Sequence, residues 1–223
     1  MTDVGAHTPP SITALGDSAL TVTLGNRIDR ELAGRVRDLA TRIRAAQLKH
    51  VEEVVVGYTA LTVWYDALHV DYDKMVQAIN PIAAADAGPG AMASEPPEHV
   101  IPVTYDGPDL AEVAERTGLT ATEVVQRHSQ RVYDVYLVGF VPGWAYLGDL
   151  DPALVLPRRA IPRTRVPAGS VGIAGAQTGV YPLATPGGWH LIGRTSVVLF
   201  DPAADPPAKL AAGDRVRFVP TPT

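Results

Sequence analysis

Five arginines, Arg158, Arg159, Arg163, Arg165 and Arg194, fall in the stretch from Pro152 to Phe200, which contains no Asp, Glu or Lys. A guanidinium holds a carboxylate or phosphate through two parallel hydrogen bonds, so converging arginines suit a small anion. One charged hydrogen bond contributes about 1.5–3 kcal/mol, and two or three must converge to make a useful site. Arg163, Arg165 and Arg194 are the candidates; the alternative is that each pairs with an acid from elsewhere in the fold. Seven glycines in the stretch bring backbone N–H groups close to a ligand, and Tyr181 and Trp189 add flat faces. Trp144 and Tyr146, just after Pro142-Gly143, are either pocket walls or core. No carboxylate within the stretch could serve as a general base. In any reaction this chain would orient and neutralise, while another chain moves the protons.

Other catalytic devices are missing. The chain has no cysteine, which excludes disulfides and thiolate chemistry. Its histidines, His7, His50, His69, His99, His128 and His190, stand singly, without metal-ligand spacing, which argues against a metal site. His128 and His190 read as structural. The glycine-rich run from Gly169 to Gly179 lacks the Gly-Lys-Ser/Thr ending of a phosphate loop, and there is no Gly-x-Ser-x-Gly elbow. Removing the five arginines from the 19 Lys and Arg leaves 14 against 24 Asp and Glu, so the stretch is a cationic island in a chain of net charge −5. Such a balance speaks against broad nucleic-acid binding. The polar start from Met1 to Pro10 has no apolar leader core, and no run approaches the roughly 18 apolar residues of a membrane span. A cytoplasmic protein is expected.

The elements that must position these residues fall into two groups. Leu20, Val22 and Leu24 alternate with Thr21 and Thr23 as in a half-buried strand ended by Gly25-Asn26. Ile28, Leu32, Val36, Leu39 and Ile43 form one stripe of a helix. Val51 to Val56 and Leu61 to Tyr65 read as a hairpin, followed by a helix from Asp71 to Ile79. A linker over residues 85–98, rich in Ala, Gly and Pro, separates an N-terminal domain (1–84) from a C-terminal one (99–223). There Val100 to Tyr105 is a strand. Pro108-Asp109 starts a helix that Gly118 ends, and Thr120 with Glu123 makes a capping box for the next. This pair resembles a helix-turn-helix, but its second helix offers chiefly Thr122, Glu123, Gln126 and Arg127, so packing beside a barrel is the better reading. Val132 to Val138 should place Val135 and Leu137 on one face. Val171 to Ala174, Trp189 to Ile192, Val197 to Phe200 and Arg215 to Val219 complete a compact β-barrel with Pro and Gly turns.

Three blocks carry a family resemblance: Val138-Gly-Phe-Val-Pro-Gly-Trp-Ala-Tyr-Leu-Gly148, the run from Pro157 to Pro182, and Thr185-Pro-Gly-Gly-Trp-His-Leu-Ile-Gly-Arg-Thr195, with Gly213-Asp-Arg-Val-Arg-Phe218 after them. Together with Gly16-Asp-Ser-Ala-Leu20 they resemble the family of the 5-oxoprolinase B-type subunit, which includes the kinase inhibitor KipI and allophanate hydrolase subunit 1. The resemblance implies an α+β protein, a small N-terminal α/β domain followed by a C-terminal cyclophilin-like β-barrel. It implies a complex with the C-type (KipA-like) and A-type subunits of 5-oxoprolinase that opens 5-oxo-L-proline to L-glutamate with hydrolysis of ATP as co-substrate. Carried over by position, its site is Arg163, Gln177, Tyr181, Trp189 and Arg194, with Phe140, Pro142 and Gly143 shaping one wall, for a small anionic substrate. Trp144-Ala145 stands where the family often has Phe-Pro, and Ser196 where it often has Pro. The alternatives that the family offers are a KipI-type inhibitor of a sensor histidine kinase and half of a biotin-dependent carboxyltransferase. Prolyl isomerase activity does not follow from a cyclophilin-like fold.

Overall fold

The computed structural model describes residues 10–85 and 96–222. They divide into two units, Met1–Ser94 and Glu95–Thr223, each with its own buried apolar cluster. Of the linker expected over residues 85–98, positions 86–95 lie outside the described residues; Ala85 caps a helix and Glu98 opens a strand.

The first unit contains β1 (Ser11–Ala14), β2 (Ala19–Thr23), α1 (Arg30–Ala45), β3 (Val51–Val56), β4 (Ala60–Tyr65) and α2 (Tyr72–Ala84). Its strands make one antiparallel sheet in the order β1-β2-β4-β3. Period-two alternation sets Leu20 opposite Val63 and Val22 opposite Leu61, all buried. Leu32, Val36, Leu39 and Ile43 of α1 join the same core. Asp29 caps α1 by accepting from the Leu32 N–H at 2.8 Å. Ile28 therefore lies ahead of the helix, 54% exposed, and is not part of the buried stripe as its spacing suggested. The second helix runs five residues past the expected end at Ile79, with Pro81 inside it. Pro81 lacks an N–H, but its carbonyl still accepts from Ala85 at 3.1 Å.

The second unit contains β5 (Glu98–Val103), α3 (Leu110–Thr117), α4 (Ala121–Ser129), β6 (Val132–Val138), β7 (Ala145–Gly148), β8 (Arg163–Val166), β9 (Ser170–Ala174), β10 (Gln177–Val180), β11 (Thr185–Gly187), β12 (His190–Arg194) and β13 (Arg215–Pro220). Seven strands form one sheet in the order β12-β9-β10-β7-β6-β13-β5, and β8 pairs with β11 separately. The two edges of the large sheet meet. Thr104, just after β5, and Arg194 on β12 exchange both backbone hydrogen bonds at 2.9 Å, and the Gly107 N–H donates to the Ile192 carbonyl at 3.2 Å. The sheet thereby curls into a nearly closed barrel, which removes its free edges. Close approach of the backbones requires Gly193, where a Cβ would sit 2.7 Å from the Thr104 carbonyl oxygen. Ile101, Val135, Leu147, Ile173, Ile192 and Phe218 fill the interior.

The helical pair follows its sequence grammar: Gly118 ends α3 at φ 69, and the capping box of Thr120 and Glu123 opens α4. Val113 and Val124 turn into the barrel core. So does His128, fully buried, whose ring nitrogens meet the Tyr105 hydroxyl at 2.7 Å and Thr178 Oγ1 at 2.8 Å. Burial drives its pKa down to about 3, so it is a neutral structural residue.

Two strand expectations need correction. Between Val135 and Leu137 the pairing of β6 with β7 shifts register. Val135 is therefore buried in the core and the half-buried Val138 packs against it, while Leu137, also half-buried, does not join that cluster. Residues 197–200 form no ladder; Phe200 makes one isolated bridge to Ala208. The alternation survives, with Leu199 buried and Val198 67% exposed, but no neighbouring strand lies alongside.

Candidate functional site

The turn after β6 is built by Pro142 and Gly143. The Trp144 N–H donates to the Val141 carbonyl and the Gly139 N–H to the Trp144 carbonyl, each at 3.0 Å. Gly143 has φ 79, and a Cβ there would lie 2.6 Å from that of Phe200, so only glycine fits. Phe140 also takes a left-handed φ of 75 and stays 64% exposed. The turn drives Trp144 inward, to 1% exposure. Its ring is the hub of an aromatic cluster, with centroids 4.6 Å from Tyr181, 5.0 Å from Trp189, 5.7 Å from Tyr146 and 6.1 Å from Phe140, all edge-to-face.

These five rings line a cavity of about 230 Å³ together with Arg158, Pro162, Pro186, Gly187 and Gly188. The second wall comes from the β8–β11 pair, in which Gly187 stands opposite Arg163. At Gly187 a Cβ would come within 2.2 Å of the Tyr181 hydroxyl, so that wall also depends on a missing side chain. The Arg159 N–H pins the Gly188 carbonyl at 2.8 Å. Arg158 is exposed, and no carboxylate pairs with it among the described residues. Burial raises the pKa of Tyr146 and of Tyr181, and the Arg158 charge opposes that rise in both. Both phenols are thus neutral at physiological pH. Trp144 adds a buried indole N–H without a partner, an unmet donor that costs free energy until it finds an acceptor. Flat apolar walls and one uncompensated cation suit a small ring bearing an anionic group.

Arg159, Arg163 and Arg194 have acids. Asp109, 3% exposed at the head of α3, does not cap its own helix. Its Oδ1 accepts from Arg163 Nη2 at 2.6 Å and Arg159 Nη1 at 3.0 Å, and its Oδ2 from the Leu191 N–H at 2.7 Å. Arg159 also reaches Glu112 at 3.0 Å. Burial acts to raise the Asp109 pKa, but the Arg163 hydrogen bond, the Leu191 N–H and the two guanidinium charges outweigh it and hold the carboxyl below its ordinary value. Arg194 grips Asp106 at 2.8–3.1 Å beside the barrel seam, with its side chain 71% exposed. Arg165 is exposed on β8 and, among the described residues, has no acid partner. His190 is fully buried and bonds the Pro157 carbonyl at 2.9 Å.

Of the residues singled out by sequence, Phe140, Tyr181 and Trp189 line the cavity. Pro142 and Gly143 shape the turn that positions Trp144. Gln177 stands opposite Ala174 where β9 turns into β10, and Arg163 and Arg194 lie in their ion pairs; none of the three lines the cavity. Arg158 does, and sequence reasoning did not single it out. Its distinction is the lack of an acid combined with a place on the cavity wall, which no local pattern reveals.

Residues 10–210 match the family described as carboxyltransferase domain, subdomain C and D. The chain is 41% identical over 220 residues to the 5-oxoprolinase B subunit of Bacillus subtilis, covering 93% of this chain and 91% of that protein. It is 44% identical over 209 residues to the 5-oxoprolinase B subunit of Escherichia coli O157:H7, covering 92% and 94%. The crystal structure of TTHA0988 superposes with a TM-score of 0.80 at 36% identity, over 92% of this chain and 40% of that one, so this chain spans about two fifths of that protein. Urea carboxylase of Kluyveromyces lactis superposes with a TM-score of 0.73 over 96% of this chain and 22% of its own; at 18% identity the likeness is one of fold. Fold and sequence thus define a carboxyltransferase C and D domain protein, α+β, with a small α/β unit and a cyclophilin-like barrel. Within that class the chain belongs to the 5-oxoprolinase B-subunit family.

Proposed function

We propose that this chain is a non-autonomous subunit of an ATP-dependent 5-oxoprolinase, which converts 5-oxo-L-proline to L-glutamate in the cytoplasm with partners of the A type and the C (KipA-like) type. Two relatives over nine tenths of the chain carry the B subunit's name, and the barrel cavity supplies the chemistry. The observation that carries the reading is Arg158, an arginine without an acid beside five aromatic rings. 5-Oxoproline is a flat five-membered lactam bearing one carboxylate. Its ring suits the aromatic walls, and its carboxylate suits Arg158. At about 230 Å³ the cavity lies below the roughly 300 Å³ at which drug-sized pockets begin, so ATP, with its triphosphate, does not share it. Among the described residues no carboxylate or imidazole lines the cavity, so the group that activates water for lactam opening comes from a partner.

The kinase-inhibitor alternative calls for an apolar patch at Phe140 and Trp144, and of the two only Phe140 is exposed. Among the described residues no helix is long and apolar enough to cross a membrane. The test is ATP-dependent release of glutamate from 5-oxoproline by the chain assembled with its A-type and C-type partners. Arg158→Ala should raise the KM for 5-oxoproline about 10- to 100-fold, the loss of one charged hydrogen bond, while Arg165→Ala leaves it unchanged. An assembled complex that releases no glutamate overturns the reading. A complex indifferent to Arg158→Ala moves the substrate out of this cavity.

A further inference from the structure

Three donor residues meet in the first unit, His50 from just before one strand of a pair and Asp66 and His69 from just after the other. His50 precedes β3 and Asp66 follows β4. The antiparallel pairing of those strands, Val51 opposite Tyr65, extends by one more bond, from the Asp66 N–H to the His50 carbonyl at 2.9 Å. Asp66 then folds the chain back on itself. Its Oδ1 accepts from the Leu68 N–H at 3.0 Å, and its carbonyl accepts from the His69 and Val70 N–H groups, both at 3.1 Å. The turn leaves Asp66 Oδ2 2.5 Å from His69 Nδ1. The two imidazoles lie parallel, 3° between planes and 5.5 Å between centroids. One ligand atom from each of His50, Asp66 and His69 lies within 4.8 Å of the other two.

An Asp–His surface pair would account for Asp66 and His69, but not for His50. The His50 ring has no hydrogen-bond partner among the described residues, and its backbone holds a left-handed φ of 70. It nevertheless stacks on a second imidazole, and a shared ion gives those two rings and the carboxylate a common partner. We propose that His50, Asp66 and His69 form a site for a divalent transition-metal ion of the zinc type. Two imidazole nitrogens and one carboxylate oxygen are a borderline donor set suited to Zn²⁺, and too poor in oxygen for Ca²⁺ or Mg²⁺. Donors about 2.0–2.2 Å from zinc need only side-chain rotation to close the present spacing. With His69 65% exposed, a fourth position stays open to water or to a side chain of another molecule. The ion would tie the turn before β3 to the turn after β4.

The experiment titrates the full-length, metal-stripped chain with ZnCl2 by calorimetry and follows thermal unfolding with and without zinc. The expected result is one saturable ion per chain and a higher Tm with zinc, because an ion that binds the folded state stabilises it. His50→Ala, His69→Ala and Asp66→Asn should each weaken binding about tenfold or more, while His99→Ala in the other unit should not. Asp66→Asn keeps the Oδ1 that holds the turn, so its loss of zinc reports on ligation rather than on folding. Absence of saturable binding, or binding that all three substitutions leave unchanged, overturns the proposal.

Discussion

Asp109 takes two arginines out of the cationic island. With Arg159 and Arg163 both bonded to its Oδ1, their charge serves the joint between the head of α3, the β8 region and the Leu191 backbone. Asp109→Asn should destabilise the protein by about 3 kcal/mol in urea denaturation. That is the lower end of the cost of breaking a buried ion pair, because the guanidiniums keep 26–27% exposure and recover some hydration. The same carboxyl gives the effect a pH direction. Its pKa is lowered on folding, so its stabilisation is fully present above the ordinary value of 3.8 and is lost as pH falls through the lowered folded value. In the Asp109→Asn variant that part of the acid sensitivity should vanish. Tyr181 and Trp189 could be picked out by type, as aromatic residues among prolines and glycines. Arg158 could not, because its meaning rests on which of its neighbours have found acids.

At the scale of elements, the seam between β5 and β12 decides whether there is a barrel at all. The two strands are far apart in sequence, and their contact rests on the Thr104–Arg194 backbone pair and on two glycines that let the chains touch. Gly193→Ala would press a methyl against the Thr104 carbonyl and the Val103 side chain. It should cost about 1–3 kcal/mol, the usual range for overpacking. Arg194→Ala, on the same strand, removes an exposed, solvent-screened ion pair and should cost clearly less than Gly193→Ala. Chemical denaturation of the two variants side by side separates backbone closure from charge; equal losses would contradict the seam argument. The elements themselves were legible wherever a periodic apolar run carried its own stop signals, as with the capping box of α4 or the Val51–Val56 strand. Short strands such as β7, β8 and β11 were not legible. Their three or four residues lie among Pro and Gly, too few to show a period.

For the whole molecule, two separate apolar clusters, one built around Leu20, Val63 and Leu39 and the other around Ile101, Ile173 and Phe218, imply two folding units. We expect residues 1–94 and 95–223, produced separately, each to unfold in a single cooperative transition by circular dichroism. A barrel fragment without such a transition would show that its core depends on the first unit. The charge asymmetry of the chain also takes on a different meaning at this scale. The arginine stretch reads as one cationic patch along the sequence, yet in the fold Asp106, Asp109 and Glu112 from the segment around α3 neutralise three of its five members.

Residue types and periods by themselves determined the caps of α3 and α4, the aromatic and glycine-rich character of the cavity-forming segments, and the likeness to the B-subunit family. These are local properties, set by side-chain chemistry and backbone preference over a few residues. Three things needed the folded chain: the closure of the barrel, the choice of Arg158 over Arg163 and Arg194 as the cavity-lining arginine without an acid, and the meeting of His50 with Asp66 and His69. Each depends on contacts between residues far apart in sequence. A cation is available to a ligand only when no carboxylate reaches it in three dimensions, and donor atoms become a site only when strand pairing sets them side by side.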